Sequence, residues 1–347
     1  MPPLPIEDLD HVLAHTQGLW EDLRGRRIFI TGGTGFFGRW LLESFAFANR
    51  ELQLGAEAVV LTRNPSSFAK RVAHLAANPA IGLHSGDFKS FRFPEGGFSH
   101  ILHAATETNS LSAPLDPVVL FEANVQGTRR ILEFARSCRV HRLLFTSSGA
   151  VYGRQPPEVT HVPEDHPGAP VTTEGQFAYG HSKRASEFLW AAHGRKHGAT
   201  ATIARCFAFV GPHLPLDSNY AIGNFIADAL KGGPVRVNGD GTPHRSYLYA
   251  ADLAIWLWTI LLRGQGGTSY NVGSDEDLSI AQLAGLVAEI VNPEAEVMVA
   301  QPPDRSRPPQ RYVPAIGRAK AELGLEPQID LREAIHRTAE WNRTMKM

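Results

Sequence analysis

The apolar positions along the chain change period repeatedly, and each change marks an element. Ile28 to Ile30 is a short continuous apolar run of β type. A helical spacing follows at Phe37, Trp40, Leu41, Leu42 and Phe45. Apolar strand-like runs recur at residues 58–62, 81–87, 100–105, 142–147 and 201–207. Between the last three of them the spacing predicts helices over 120–138 and 177–193. Strands that are apolar throughout, alternating with helices, predict a parallel sheet covered on both faces. Ahead of this, Ile6, Leu9, Val12, Leu13, Leu19, Trp20 and Leu23 stand among polar residues and predict one or two short amphipathic helices, read as a packing extension over 1–25.

Past residue 210 the pattern becomes short and mixed. Helices are expected at 224–230 and 252–262, where Trp256 and Trp258 belong to a core. Short strands are expected at 234–238 and 268–272. The stretch 301–314 is rich in Pro and Arg and reads as a loop, and 317–343 as an interrupted helix. The expected division is an extension (1–25), a sheet domain (26–210) and a smaller lobe formed mainly by 211–347.

Composition narrows the possible partners. The 347 residues carry a net charge of −1, with 43% apolar and 20% charged positions. That balance offers no nucleic-acid surface and no polybasic membrane patch. The longest strongly apolar run, Leu253 to Leu262, is too short to span a bilayer. The first residues lack a signal-like basic start and apolar core. Two cysteines, Cys138 and Cys206, make neither a disulfide framework nor a metal spacing, so a reducing, cytoplasmic setting is expected. His193 and His197 have helical metal spacing but no evident third ligand, and no metal is expected.

Chemistry enters at the first turn. Thr31-Gly32-Gly33-Thr34-Gly35-Phe36-Phe37-Gly38 sits between a strand and a helix, as in the opening of a dinucleotide-binding βαβ unit. Gly32 permits a tight turn, Gly35 lets backbone approach a pyrophosphate, and Gly38 lets helix pack on strand. The helix N-terminus favours the phosphates. Further on, Tyr179 and Lys183 lie at i and i+4 on one helix face. A nearby ammonium is expected to lower the tyrosine pKa from about 10, making it a proton shuttle for a hydroxyl. Ser147 and Ser148 end the fifth strand, where active sites of parallel sheets gather.

The order of these motifs, a glycine loop, then Ser147-Ser148-Gly149-Ala150-Val151-Tyr152-Gly153, then Tyr179-Gly180-His181-Ser182-Lys183, resembles the extended short-chain dehydrogenase/reductase superfamily, in its nucleotide-sugar-modifying epimerase/dehydratase branch. The resemblance covers about residues 26–330. It implies a Rossmann doubly wound sheet with a smaller C-terminal α/β substrate-binding lobe, NAD or NADP as cofactor, and a nucleoside-diphosphate sugar as substrate. It implies Ser148, Tyr179 and Lys183 as the catalytic residues, with Lys183 also on the nicotinamide ribose. Cofactor contacts fall on Gly32, Thr34, Gly35, Phe36, Phe37, Gly38, Thr62, Arg63, Asp87, Phe88, His103, Ala104 and Ala105. Substrate contacts fall on Thr106, Ser147, Ser148, Asn224 and Arg245, whose planar fork suits a diphosphate, with Arg307 and Arg311 as further candidates. Asn124 is implied to be structural, propping up the fifth strand. A homodimer built on helices 118–138 and 177–193 is implied by analogy.

Three departures shape the expected reaction. Thr62-Arg63-Asn64 replaces the acid that grips the NAD ribose, which leaves NADP open. Gly149 and Ala150 stand where the 4,6-dehydratases place Asp-Glu, and the glutamate of the family's decarboxylases is absent too. Ala208 replaces an asparagine that 4-epimerases often use near the phosphates. The expected function is C4 epimerisation of a UDP- or dTDP-hexose by transient oxidation. The alternatives are an NADPH-dependent 4-keto-sugar reductase, a 4,6-dehydratase, and, in another class, a non-catalytic dinucleotide sensor.

Overall fold

A computed structural model describes residues 1–108, 115–218, 220–304 and 306–345. The expected strands form as β1 (Arg27–Thr31), β2 (Glu57–Thr62), β3 (Ile81–Ser85), β4 (His100–His103), β5 (Arg142–Ser148) and β6 (Thr200–Cys206). The third and fourth stop two residues short of their expected ends. These six and a strand at Ser269–Val272 form one parallel sheet. From the Ser269–Val272 edge its order runs β6, β5, β4, β1, β2, β3. The order reverses direction between β1 and β4, and a ligand crevice opens at the carboxyl ends beside such a switch.

Strand alternation supplies two cores. Ile28 and Ile30 face one side, with Trp40, Trp256 and Trp258. Phe29 faces the other, with Phe91, Phe98, Phe134, Phe145 and Trp190. The helices of the first half are α1 (Ile6–His15), α2 (Phe36–Glu51), α3 (Pro65–Arg71), α4 (Ala73–Ala76), α5 (Pro117–Cys138) and α6 (Ala178–His197). Pro117 starts α5, and the Asp116 side chain caps it by accepting from the Val118 and Val119 N–H groups. The helix therefore begins three residues before its expected start.

The second half is less separate than its pattern suggests. It holds α7 (Ala221–Leu230), α8 (Ala250–Arg263), α9 (Ile280–Val291), α10 (Gly317–Leu323) and α11 (Leu331–Thr344). Helix α8 is buried along nearly its whole length and packs back onto α1, α2 and the sheet. The Ser269–Val272 strand completes the sheet edge beside β6. The extension is stitched in as well. Buried Asp8 of α1 accepts from the Tyr249 hydroxyl at 2.7 Å and pairs with Arg337 of α11 at 2.8 Å. The remaining lobe carries, beside the parallel pair Val235–Val237 and Val297–Val299, a small three-stranded sheet of Asp277–Ser279, His244–Ser246 and Arg311–Tyr312. The last of these lies inside the stretch expected to be a loop.

Candidate active site

The first turn is built as its glycines require. Gly32 has a φ of 74°, and a Cβ there would lie 2.5 Å from the Ala104 carbonyl carbon. A Cβ on Gly38 would meet the Gly32 carbonyl oxygen at 2.3 Å. At Gly35 the nearest atom to a Cβ is 3.5 Å away and the residue is exposed, so the helix N-terminus faces open space. That opening is the cradle a pyrophosphate would fill. Thr34, Phe36 and Phe37 line the same turn, half-buried, and Phe37 packs edge-on against Phe209 at 5.1 Å.

The neighbouring strand ends flank the opening. The Thr62 hydroxyl accepts from the Asn64 N–H, and Asn64 caps α3. Arg63 keeps 72% of its side chain exposed, with Glu107 at 3.5 Å. The Asp87 carboxylate accepts from the Lys89 N–H at 2.9 Å. Phe88 is a core side chain, packed so closely on α5 that a Cβ on Gly127 would lie 2.0 Å from its ring. His103 is also turned inward. Its Nδ1 bonds the Thr31 hydroxyl at 2.7 Å, and its ring lies against Phe145 and Trp190. Burial, with the Lys183 charge nearby, lowers its pKa to about 3, so the ring is neutral. For Phe88 and His103 only backbone is left at the strand ends, beside Ala104 and Ala105. Asn124 does not prop up β5. It holds the chain after β4, through Thr106 and the Glu107 backbone, against Ser182 of α6.

The three catalytic candidates converge at the end of β5. The Lys183 ammonium donates to the Thr146 carbonyl at 2.8 Å and lies 5.6 Å from the centre of the Tyr179 ring. Burial lowers its pKa to about 8. The expected lowering of the tyrosine does not occur in the protein alone. Burial raises the Tyr179 pKa above its ordinary value, helped by the neighbouring Tyr312, while a hydrogen bond with Ser148 opposes the rise. The ammonium donates to the Thr146 carbonyl, and desolvation of the phenolate is the larger effect.

Ser147 and Ser148 divide by strand parity. Ser147 falls on the face of Leu143 and Phe145 and donates to Glu187 of α6. Its hydroxyl is thereby turned away from the cleft, contrary to the substrate role expected for it. Glu187 continues into a buried network through Arg205 to the Tyr152 hydroxyl and Asn271. Ser148 faces the cleft, where its Oγ accepts from the Ala150 N–H at 3.2 Å and lies 3.3 Å from the Tyr312 hydroxyl.

Across the cleft, Arg245 is half-buried, and its guanidinium has no carboxylate partner among the described residues. It lies 5.8 Å from the Tyr312 ring centre. A desolvated cation without a counter-ion suits an anionic ligand. Arg311 is spent on Asp277 at 2.7 Å, and that carboxylate also binds His244 Nδ1. Arg307 stands on an exposed turn, 85% open, 3.7 Å from Asp304. It borders a cavity of about 680 Å³ lined by Asp240, Thr242, His244 and Ser279. Asn224 is half-buried on α7. Tyr312 and Phe207 were missed. Their rings pack at 4.7 Å and fill the space beside Gly149, where a Cβ would lie 2.7 Å from Phe207 and 2.8 Å from the Tyr312 hydroxyl. The sequence marks Tyr312 only as an aromatic residue amid Pro and Arg, a stretch in which the arginines fit an anionic ligand better.

The chain has relatives. Residues 28–273 match the model of the NAD dependent epimerase/dehydratase family. UDP-glucuronic acid decarboxylase 6 of Arabidopsis thaliana is 31% identical over 310 residues, 89% of this chain and 86% of that protein. Among solved structures, the dTDP-glucose 4,6-dehydratase of Streptomyces venezuelae, with NAD and TYD bound, is 26% identical with a TM-score of 0.75, covering 92% of this chain and 97% of that one. UDP-glucose 4-epimerase of Thermotoga maritima shares the fold at 22% identity, with a TM-score of 0.75 over 92% of this chain and 100% of that one.

Proposed function

We propose, for a chain that belongs to the NAD dependent epimerase/dehydratase family, that it epimerises a UDP- or dTDP-hexose at C4 with NAD or NADP bound in the Gly32–Gly38 turn. One observation carries the choice among the family's reactions. Ser148, Tyr179 and Lys183 meet at the end of β5, while the next two positions, Gly149 and Ala150, hold no acid. The side-chain space at Gly149 is filled by Phe207 and Tyr312. Elimination of water needs a proton donor and acceptor beyond the alcohol-oxidising set. The same lack separates this chain from its decarboxylase relatives, whose resemblance implies a glutamate in that stretch.

When bound, the nicotinamide would supply a two-electron acceptor and donor and a positive charge. Near such a charge Tyr179 would give up its proton more readily, against the burial that raises its pKa in the protein alone. Tyr179 takes the proton of the C4 hydroxyl at its phenolic oxygen and returns it when the new configuration forms. Ser148 Oγ holds the C4 oxygen, and Lys183 keeps a positive charge at the back of the site. Arg245 binds the diphosphate. Residual exposure of Phe188 on α6 (68%), with Val118 and Val119 on α5, supports a homodimer through those helices. Arg63 favours a second reading, an NADPH-dependent 4-keto-sugar reductase, because an exposed guanidinium at the end of β2 suits a 2′-phosphate.

The test is chromatography with mass detection after incubation with UDP-, dTDP-, GDP- and CDP-sugars, with and without NADPH. An epimerase gives a product of unchanged mass and shifted retention without added cofactor. A gain of two hydrogens, only with NADPH and a keto-sugar, supports the reductase. Loss of water or of carbon dioxide would overturn the argument from Gly149 and Ala150.

A further inference from the structure

Resting on that reading of Tyr179 and Ser148, the structure assigns Tyr312 a positioning role: its phenol fixes Ser148 as a hydrogen-bond donor towards the substrate oxygen. A serine hydroxyl has one proton to donate and two lone pairs to accept with. The Ala150 N–H occupies one lone pair of Ser148 Oγ at 3.2 Å. The Tyr312 hydroxyl lies 3.3 Å from the same oxygen, nearer than the Cys206 carbonyl at 3.5 Å, its other acceptor. With both lone pairs engaged, the Ser148 proton points into the cleft, where the Tyr179 phenol takes it in the protein alone and a bound substrate oxygen would take it in turn. Ser148 then donates to the oxygen that Tyr179 protonates and deprotonates.

The surroundings hold Tyr312 to this task. Its ring packs on Phe207, and the Arg245 guanidinium lies 5.8 Å from the ring centre. Burial raises its pKa to about 12, so the phenol keeps its proton at neutral pH. Gly149 is what lets the hydroxyl reach, since a Cβ there would lie 2.8 Å from it. Tyr312 arrives from the lobe, on the Arg311–Tyr312 strand paired with His244–Ser246. The lobe that carries Arg245 thus also sets the direction of a hydrogen bond in the catalytic centre.

Tyr312→Phe keeps the ring and removes the hydroxyl. Expected is a fall in kcat of about 10-fold, the worth of one hydrogen bond, with KM within about 2-fold and an unchanged melting temperature. Because Tyr312 acts through Ser148, adding Tyr312→Phe to Ser148→Ala causes no further loss of kcat. An unchanged kcat, a change confined to KM, or losses that multiply in the double variant would overturn the assignment. A second readout needs no turnover. In protein labelled with ¹³C at tyrosine Cζ, Ser148→Ala moves the Tyr312 resonance; a resonance that stays in place refutes the contact. If the wild-type protein converts none of the sugars, the proposed reaction fails while the resonance still judges the pairing.

Discussion

Ser148 and Arg245 face the same cleft, yet they are held there by different means. Ser148 sits at the end of a seven-residue strand whose register is fixed by β6 along its whole length and by β4 over Arg142–Phe145. Its direction follows from parity, because one residue earlier the side chain turns to the opposite face. Arg245 sits on a three-residue strand between one of three residues and one of two. There the placing force is side-chain polarity. Asp277 ties His244 to Arg311 and so joins the three strands. The sheet half is positioned by backbone, the lobe half by charge.

The strongest challenge to this contrast falls on the sheet half. Tyr179→Phe removes the proposed proton shuttle while leaving the helix intact, and turnover of any accepted substrate is expected to fall about 10²–10⁴-fold with little change in melting temperature. Steady-state rates alongside a melting curve decide it, and surviving activity would remove Tyr179 from the mechanism. A second effect is on stability. Burial lowers His100 to about 4 and His103 to about 3, and both lie in β4 at the middle of the sheet. Below pH 6.5 the unfolded chain takes up protons that the folded sheet refuses. Stability is therefore expected to fall as pH drops from 6.5 towards 4, at up to about 2.7 kcal/mol per pH unit for the pair. Urea midpoints at pH 7, 6 and 5 measure the slope, to which His193 and His213, lowered by burial to about 4 and about 3, also add, and replacing His103 by Asn should reduce it by about 1.4 kcal/mol per pH unit. The smallest effect is in the lobe. Asp277→Asn weakens the tie between the three short strands, at a cost of about 1 kcal/mol. Its expected signature is a several-fold rise in KM, with a smaller fall in kcat because Tyr312 shares the loosened strand with Arg311, read from initial rates. A fall in kcat alone would show that charge is not what places the lobe.

The same contrast explains what the sequence made legible. The sheet, the glycine turn and the order Ser148, Tyr179, Lys183 could be read because period and spacing encode them locally. The return of α8 and Ser269–Val272 to the sheet could not, since pattern names an element without naming its neighbour. Ser147 was placed wrongly because two adjacent serines look alike until the register of β5 is known. His103 and Phe88 sit at the expected strand ends, but their side chains turn into the core. Tyr312 lay in a stretch whose two-residue strand has no period to detect. Its partner Ser148 is 164 positions away along the chain.

The Ser269–Val272 edge also bears on how the chain reaches its shape. The sheet is complete only when a segment synthesised well after the Tyr179 helix has docked beside β6. During synthesis the first six strands wait with one edge unpaired, a state that invites association with other nascent chains. Helix α8, apolar from Leu253 to Leu262 apart from Thr259, emerges just before that edge strand and covers the same region of the sheet. A pause in translation just short of residue 250 would leave the open edge and the uncovered face exposed together, and the yield of native protein should be most sensitive to delays there.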